Sequence, residues 1–520
     1  MKPLVVLMIM GLLLFSTGCQ NAPESAQTVL PLPPAEQAQP IPLLLGSWAD
    51  PSILRAGGDY YMTQSTCGGY VPAMLIWHST DLLNWKPLGY AIHDRPAGLA
   101  PDLAFVNYIL YLYCERTTAF TASSPAGPWT DHGHMEGSRG IDPGHFAGFD
   151  GQRYLYSSGG HYSKLSDDGL SYVEGPEQVY EGWEIPRDWA IEGMYLESPK
   201  IFKKEDWYYM VSAQGGTFGP MTAHMAVVAR SKDPKGPWEN CPYNPVIRTW
   251  DHEDPWWTQG HATFFEGPGG NWFALYHGYK NGYRLMGRST LLLPIAWTAG
   301  GWPVVAAEWP EGFSEEAVNI DLPLSDEFDG SELGLQWQSP REHDLTRYRF
   351  EGGALVVNGR GESVGDSVPI TFNARHIAYQ VETEVELAGA ASAGITLYYT
   401  TDAYVSIGLT EDGLVERGYA AGSRRPVRTD EHKYSGKKIR LKFVNDKNDV
   451  RCYFMNEDGE WVIIQSSVDV TFMDDNGFSR NSALRPGLFA TGGGSAAFSY
   501  IRYEPYENRQ YEEHFGNLVQ

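Results

Sequence analysis

Three features of the 520-residue sequence predict an all-β chain, a five-bladed β-propeller followed by a β-sandwich. Short β-runs punctuated by Gly, Pro, Asn and Asp continue from Gly46 onward, with no long stretch of helical periodicity. Five similar aromatic runs recur at broadly regular intervals, which marks a repeat. Beyond them, apolar and polar residues alternate with the period of half-buried strands.

In chain order, residues 1–19 read as an export leader. Met1-Lys2-Pro3, the apolar run Leu4 to Phe15 and Ser16-Thr17-Gly18-Cys19 supply a basic start, a hydrophobic stretch and a small-residue cleavage site. The apolar run is too short to span a bilayer. Gly18-Cys19 resembles the lipobox of bacterial lipoproteins, which implies that Cys19 becomes an acylated N-terminus at the cell surface or in the periplasm. Ser16 departs from that pattern, and a plain secretory signal is the alternative. Residues 20–42, rich in Pro, Ala and Gln, have the composition of a flexible tether.

The propeller is expected over residues 43–318. Its aromatic runs are Tyr60-Tyr61-Met62, Ile109 to Tyr113, Arg153 to Tyr156, Trp207 to Met210 and Trp272 to Tyr276. About ten residues before each lies an opening with polar residues at a strand start. The openings are Ala49-Asp50-Pro51, Ala100-Pro101-Asp102, Ile141-Asp142-Pro143, Leu196-Glu197-Ser198 and Gly260-His261-Ala262. The first strand of a propeller blade lines the central channel, so these openings converge at one mouth. Carboxylates gathered around one axis raise one another's pKa, an arrangement with little structural benefit.

A β-sandwich is expected over 319–506, with strands at 376–388, 393–399, 438–444, 451–455 and 497–501, and a polar tail over 507–520. Cys67, Cys114, Cys241 and Cys452 lack the spacings of a zinc site or disulfide framework and read as packing residues. The net charge of −25 argues against nucleic acid and strongly anionic ligands. With 17 Trp and 31 Tyr, aromatic faces are plentiful for sugar stacking, although packing between sheets accounts for most. Tyr70, in the insertion Gly68 to Ala73, and Trp77 are the candidates for substrate contact.

In this order and at these openings, the motifs resemble glycoside hydrolase family 43, the β-xylosidase, α-L-arabinofuranosidase and arabinanase family. The resemblance implies that Asp50 is the general base, Glu197 the general acid and Asp142 the carboxylate that tunes and orients the acid. Glu192 is the rival for the acid but lacks the following Pro199-Lys200-Ile201-Phe202 strand. Asp102 resembles a substrate-contacting position, with strand-start capping as the alternative. Arg288 matches a position that reaches the sugar. His261 matches a channel histidine that sits on a central ion or water, so a calcium ion is one expectation there, and no cofactor is required. Leu324 to Gly330 with Trp337 resembles the concanavalin-like jelly-roll sandwich of the β-xylosidase branch, from which Phe478 is a candidate to reach the pocket.

The resemblance further implies inversion, with the two carboxyl groups on the order of 6.5 to 9.5 Å apart to admit water. Exo-action on terminal β-D-xylose or α-L-arabinofuranose of cell-wall oligosaccharides follows from the appended sandwich. Arabinanase and exo-galactanase specificities stay open, as does a glycan-binding lipoprotein without catalysis.

Overall fold

The computed structural model describes residues 36–422, 428–464, 467–478 and 481–506. The leader with Cys19, the tether as far as residue 35 and the tail 507–520 lie outside the described residues.

Five sheets, their blade strands antiparallel, form the propeller, each led by the strand that follows or contains one of the polar openings. Blade I comprises Ser52–Ala56, Asp59–Thr63, Ala73–Ser79 and Asn84–Ile92. Blade II runs Asp102–Val106, Ile109–Cys114, Thr118–Ala122 and Thr130–His134. Blade III runs Gly144–Ala147, Arg153–Ser157, His161–Leu165 and Tyr172–Gln178. Blade IV holds Leu196–Lys204, Trp207–Gln214, Met225–Ser231 and Glu239–Asn240. Blade V holds Trp256–Glu266, Trp272–Lys280 and Tyr283–Trp297. The aromatic runs are the second strands, and they are almost wholly buried because both faces pack against neighbouring blades.

The ring closes through the N-terminal segment. Ile41–Leu44 pairs with Tyr283–Trp297 as the outer strand of blade V, and the Ala38 N–H donates to Ala306 O. The tether therefore ends earlier than residue 42. Pro40 and Pro42 disguise a strand in the sequence, but an outer strand tolerates proline because its far side needs no donors. At the other end, Asn319–Ile320 runs parallel to Asn84–Trp85 on blade I before the chain enters the sandwich.

Among the described residues the sandwich has an eight-stranded and a six-stranded sheet around one apolar core. Ala378–Ala388 and Lys438–Asp446 alternate as expected. Ser392–Thr400 and Ala403–Thr410 do not: they are buried nearly throughout. Their outer face meets the propeller, where Tyr398, Tyr404 and Phe489 pack with Tyr70. Ser339–Pro340 pairs with Tyr70–Val71 across the same boundary, and Gln338 donates to Pro72 O.

Candidate active site

Each of the five openings carries a non-glycine residue in the left-handed region: Asp50 (φ 55°), Ala100 (φ 48°), Asp142 (φ 57°), Ser198 (φ 52°) and His261 (φ 57°). Such a residue turns the backbone sharply, just before the inner strand in blades I to III and within it, at a break in register, in blades IV and V, and it is disfavoured for L-amino acids unless its surroundings impose it. Together these turns deliver Asp50, Asp142, Glu197 and His261 to one cavity of about 380 Å³. Gly144 permits the convergence. A Cβ there would collide with Pro199 O, so only glycine lets the inner strands of blades III and IV approach and bring Asp142 to the Glu197 strand.

Asp50 is gripped from several sides. Arg288 donates to its Oδ1 at 2.8 Å, Ser65 Oγ donates to Oδ2 at 2.6 Å, and its backbone N–H donates to His277 Nδ1 at 3.0 Å. Burial alone would raise this carboxyl, but Arg288 and then His261 outweigh it and hold Asp50 well below the usual carboxylate range. It is therefore ionised. His277 is driven the other way, down to about 3, by burial and by Arg288, so it stays neutral.

Glu197 has the opposite fate. Burial first, and then the charge of Asp142, push its carboxyl up to about 7. Asp142 is tied to the same strand, its Oδ2 accepting from the Ser198 N–H at 3.2 Å. His261 stands between the acids, its Nε2 3.7 Å from Asp50 Oδ1 and 3.6 Å from Asp142 Oδ2, with Nδ1 2.9 Å from Ser198 Oγ. Burial disfavours its charged form, but Asp50 and Asp142 prevail and raise its pKa. Ligand atoms of Asp50, His261 and His277 all lie within 4.8 Å of one another. Calcium takes six to eight oxygen ligands. This cluster offers two imidazoles and a carboxylate already engaged by Arg288, which does not fit a calcium cage.

The description "Glycosyl hydrolases family 43" matches residues 39–303, just over half of the chain. The chain belongs to glycosyl hydrolase family 43. A second description, the β-xylosidase C-terminal concanavalin A-like domain, matches residues 325–504. Among named relatives, the non-reducing end α-L-arabinofuranosidase BoGH43B of Bacteroides ovatus is 32% identical over 61% of this chain and 64% of its own length. The chain thus spans just under two thirds of that relative. A xylan 1,3-β-xylosidase of a Vibrio species is 27% identical over 72% of this chain and 80% of that protein. The crystal structure of the GH43 protein BlXynB from Bacillus licheniformis aligns with a TM-score of 0.80 at 28% identity, covering 90% of this chain and 100% of that one.

Other residues expected to serve this family 43 site lie elsewhere. Asp102 is a buried structural anion: Lys200 Nζ donates to its Oδ1 at 2.8 Å and the His145 N–H to its Oδ2 at 2.7 Å. Capping wins over sugar binding because the carboxylate's acceptors are engaged inside the channel. Trp77 is 0% exposed, packs edge-on to Trp48 and donates to Gln64 Oε1. Tyr70, 1% exposed, lies beneath the Arg485 guanidinium in the domain interface. Neither can stack on a sugar. Phe478 packs on Tyr399 and Phe472, off the cavity wall. The residue that reaches across is Asn481, whose Oδ1 accepts from Arg288 at 2.7 Å. Glu192 also stands aside, its Oε2 accepting from the Phe218 and Gly219 N–H groups. His277 escaped sequence reasoning; its only signal was a lone polar residue ending the aromatic run Trp272 to Tyr276.

Proposed function

We propose that this family 43 enzyme is an inverting, exo-acting hydrolase that releases terminal β-D-xylose or α-L-arabinofuranose from plant cell-wall oligosaccharides. The observation that carries the reading is the separation of two carboxyl groups in one cavity. Glu197 is poised near 7 while Asp50 is held ionised. Glycoside hydrolysis needs one group of each kind.

Glu197 gives its proton to the departing glycosidic oxygen. Asp50 takes a proton from the water that attacks the opposite face of the anomeric carbon, and Ser65 and Arg288 hold the Asp50 oxygens at a fixed angle throughout. Asp142 raises the acid and fixes the strand that bears it. A binding protein without catalysis would have no use for this separation. The sugar specificity is supported by the arabinofuranosidase and xylosidase names of the relatives. Exo-action is supported by Asn481, which brings the sandwich onto the cavity wall. The leader supports export as a lipoprotein acylated on Cys19.

The test is p-nitrophenol release from β-D-xylopyranoside and α-L-arabinofuranoside, beside Asp50→Ala and Glu197→Ala, with the anomer of the first-formed sugar followed by NMR. Loss of activity in both variants and an inverted product support the proposal. Retention of configuration, or full activity in either variant, refutes the assigned roles.

A further inference from the structure

The cavity has a buried floor and an exposed rim. Asp50, His261 and Arg288 are buried at the floor. At the rim stand Leu99, 44% exposed, Ile141, 40% exposed, and the exposed Arg116. Groups at the rim meet only the part of a substrate that projects from the cavity. If the terminal sugar fills the floor, as the proposed function requires, that part is the leaving group.

Arg116 is a built feature of this rim. It occupies the tip of the hairpin joining Ile109–Cys114 to Thr118–Ala122, between Glu115 (φ 56°) and Thr117 (φ 65°), two further left-handed residues. The tip is pinned on every side. The Glu115 N–H donates to Leu99 O at 2.8 Å, the Gly98 N–H to Glu115 Oε1 at 2.8 Å, and the Asp142 N–H to Glu115 O at 3.1 Å. The Met135 N–H donates to Thr117 O at 2.9 Å, and Ser138 Oγ to Arg116 O at 2.8 Å. The backbone under Arg116 is therefore fixed relative to Asp142. Two arginines line the cavity, and Arg288 is engaged by Asp50 and Asn481. The Arg116 guanidinium has no ion pair or side-chain hydrogen bond among the described residues. An unpaired guanidinium on a fixed backbone is free to meet a carboxylate in a two-pronged fork.

We infer that Leu99, Arg116 and Ile141 form the leaving-group subsite and that Arg116 selects leaving groups carrying a carboxylate, as a uronic acid residue does. The net charge of −25 repels long polyanions, but a single carboxylate seated at Arg116 lies within a few ångströms of a local cation. The apolar faces of Leu99 and Ile141 would flank the ring that bears it.

The experiment compares kcat/KM for 4-carboxyphenyl and 4-carbamoylphenyl β-D-xylosides and α-L-arabinofuranosides in the parent enzyme, Arg116→Gln and Arg116→Lys. The ratio of carboxylate to carboxamide substrate cancels leaving-group basicity when variants are compared. It is expected to fall about three- to fivefold in Arg116→Gln, chiefly through KM, as befits an exposed ion pair. It should be only partly restored in Arg116→Lys, which keeps the charge but not the fork, and lost to the parent in about 1 M salt, where the Debye length is about 3 Å. A ratio unmoved by Arg116→Gln, with both substrates cleaved, overturns this inference and leaves the hydrolase standing. Cleavage of neither substrate by the parent removes the proposed function and the inference with it.

Discussion

Burial acts on Asp50 and Glu197 in the same direction, and what separates them is the charge that each one faces. Arg288 sits 2.8 Å from Asp50, whereas Glu197 faces the charge of Asp142. The activity should therefore fall as pH rises through about 7, where Glu197 loses its proton, and a pH profile of kcat/KM checks this. Stability follows the same titration. The folded pKa of Glu197 lies above its ordinary value of 4.5, so the native state binds the extra proton, and stability falls as pH rises from the unfolded to the folded value. Glu197→Gln, which cannot ionise, is expected to be inactive yet more stable than the parent by about 2–3 kcal/mol at about pH 8, measured by denaturant unfolding. The opposite pair behaves differently. Asp50→Asn should lose about 10²- to 10⁴-fold in kcat. It should also lose about 3–5 kcal/mol of stability, because Arg288 remains buried with its charge unmatched. A stable Asp50→Asn protein in the same unfolding experiment would show that Asn481 alone satisfies Arg288.

The inner strands do more than present acids, since they plug the channel below them. Lys200, on the acid-bearing strand of blade IV, reaches Pro101 O and Asp102 on blade II and Pro143 O on blade III. One side chain thus fastens three blades, with burial and Lys200 pulling Asp102 in opposite directions and burial prevailing to raise its pKa. Lys200→Met removes this cation and leaves Asp102 buried without its ion-pair partner. A loss of about 3–5 kcal/mol is expected, read as a lowered Tm. The element scale also shows what the sequence could reveal. Asp50, Asp142, Glu197 and His261 were legible because each lies in a short motif just before or within an inner strand, and the fold brings those positions together by repetition alone. Asp102 sits in an equally good motif, yet its role depends on Lys200, 98 residues away. His277, Asn481 and the interior placement of Trp77 depend on contacts between blades or domains, which no local pattern encodes. The strand Ile41–Leu44 was hidden because its pairing partner lies at the far end of the propeller.

At the scale of the molecule, the sandwich is a wall of the site as well as an appendage. Asp475 is buried at the boundary, its Oδ2 accepting from Tyr279 of blade V and its Oδ1 from Tyr399 of the sandwich. Six residues further on, Asn481 holds Arg288, and the Leu484 N–H donates to Leu285 O. Asp475, Asn481 and Leu484 therefore link domain cohesion to the grip on Asp50. Asp475→Ala leaves two buried tyrosine hydroxyls without their acceptor, at a cost of about 1–3 kcal/mol each, all of it falling on the interface. If the two domains unfold as one unit in the parent, calorimetry should show a single transition that Asp475→Ala lowers and broadens or splits. Activity should fall with it, because Arg288 loses the surface against which Asn481 holds it, and the loss should appear in kcat more than in KM. A parent that already unfolds in two separate steps, with Asp475→Ala shifting only one of them, would mean that the sandwich shapes the cavity without stabilising the propeller.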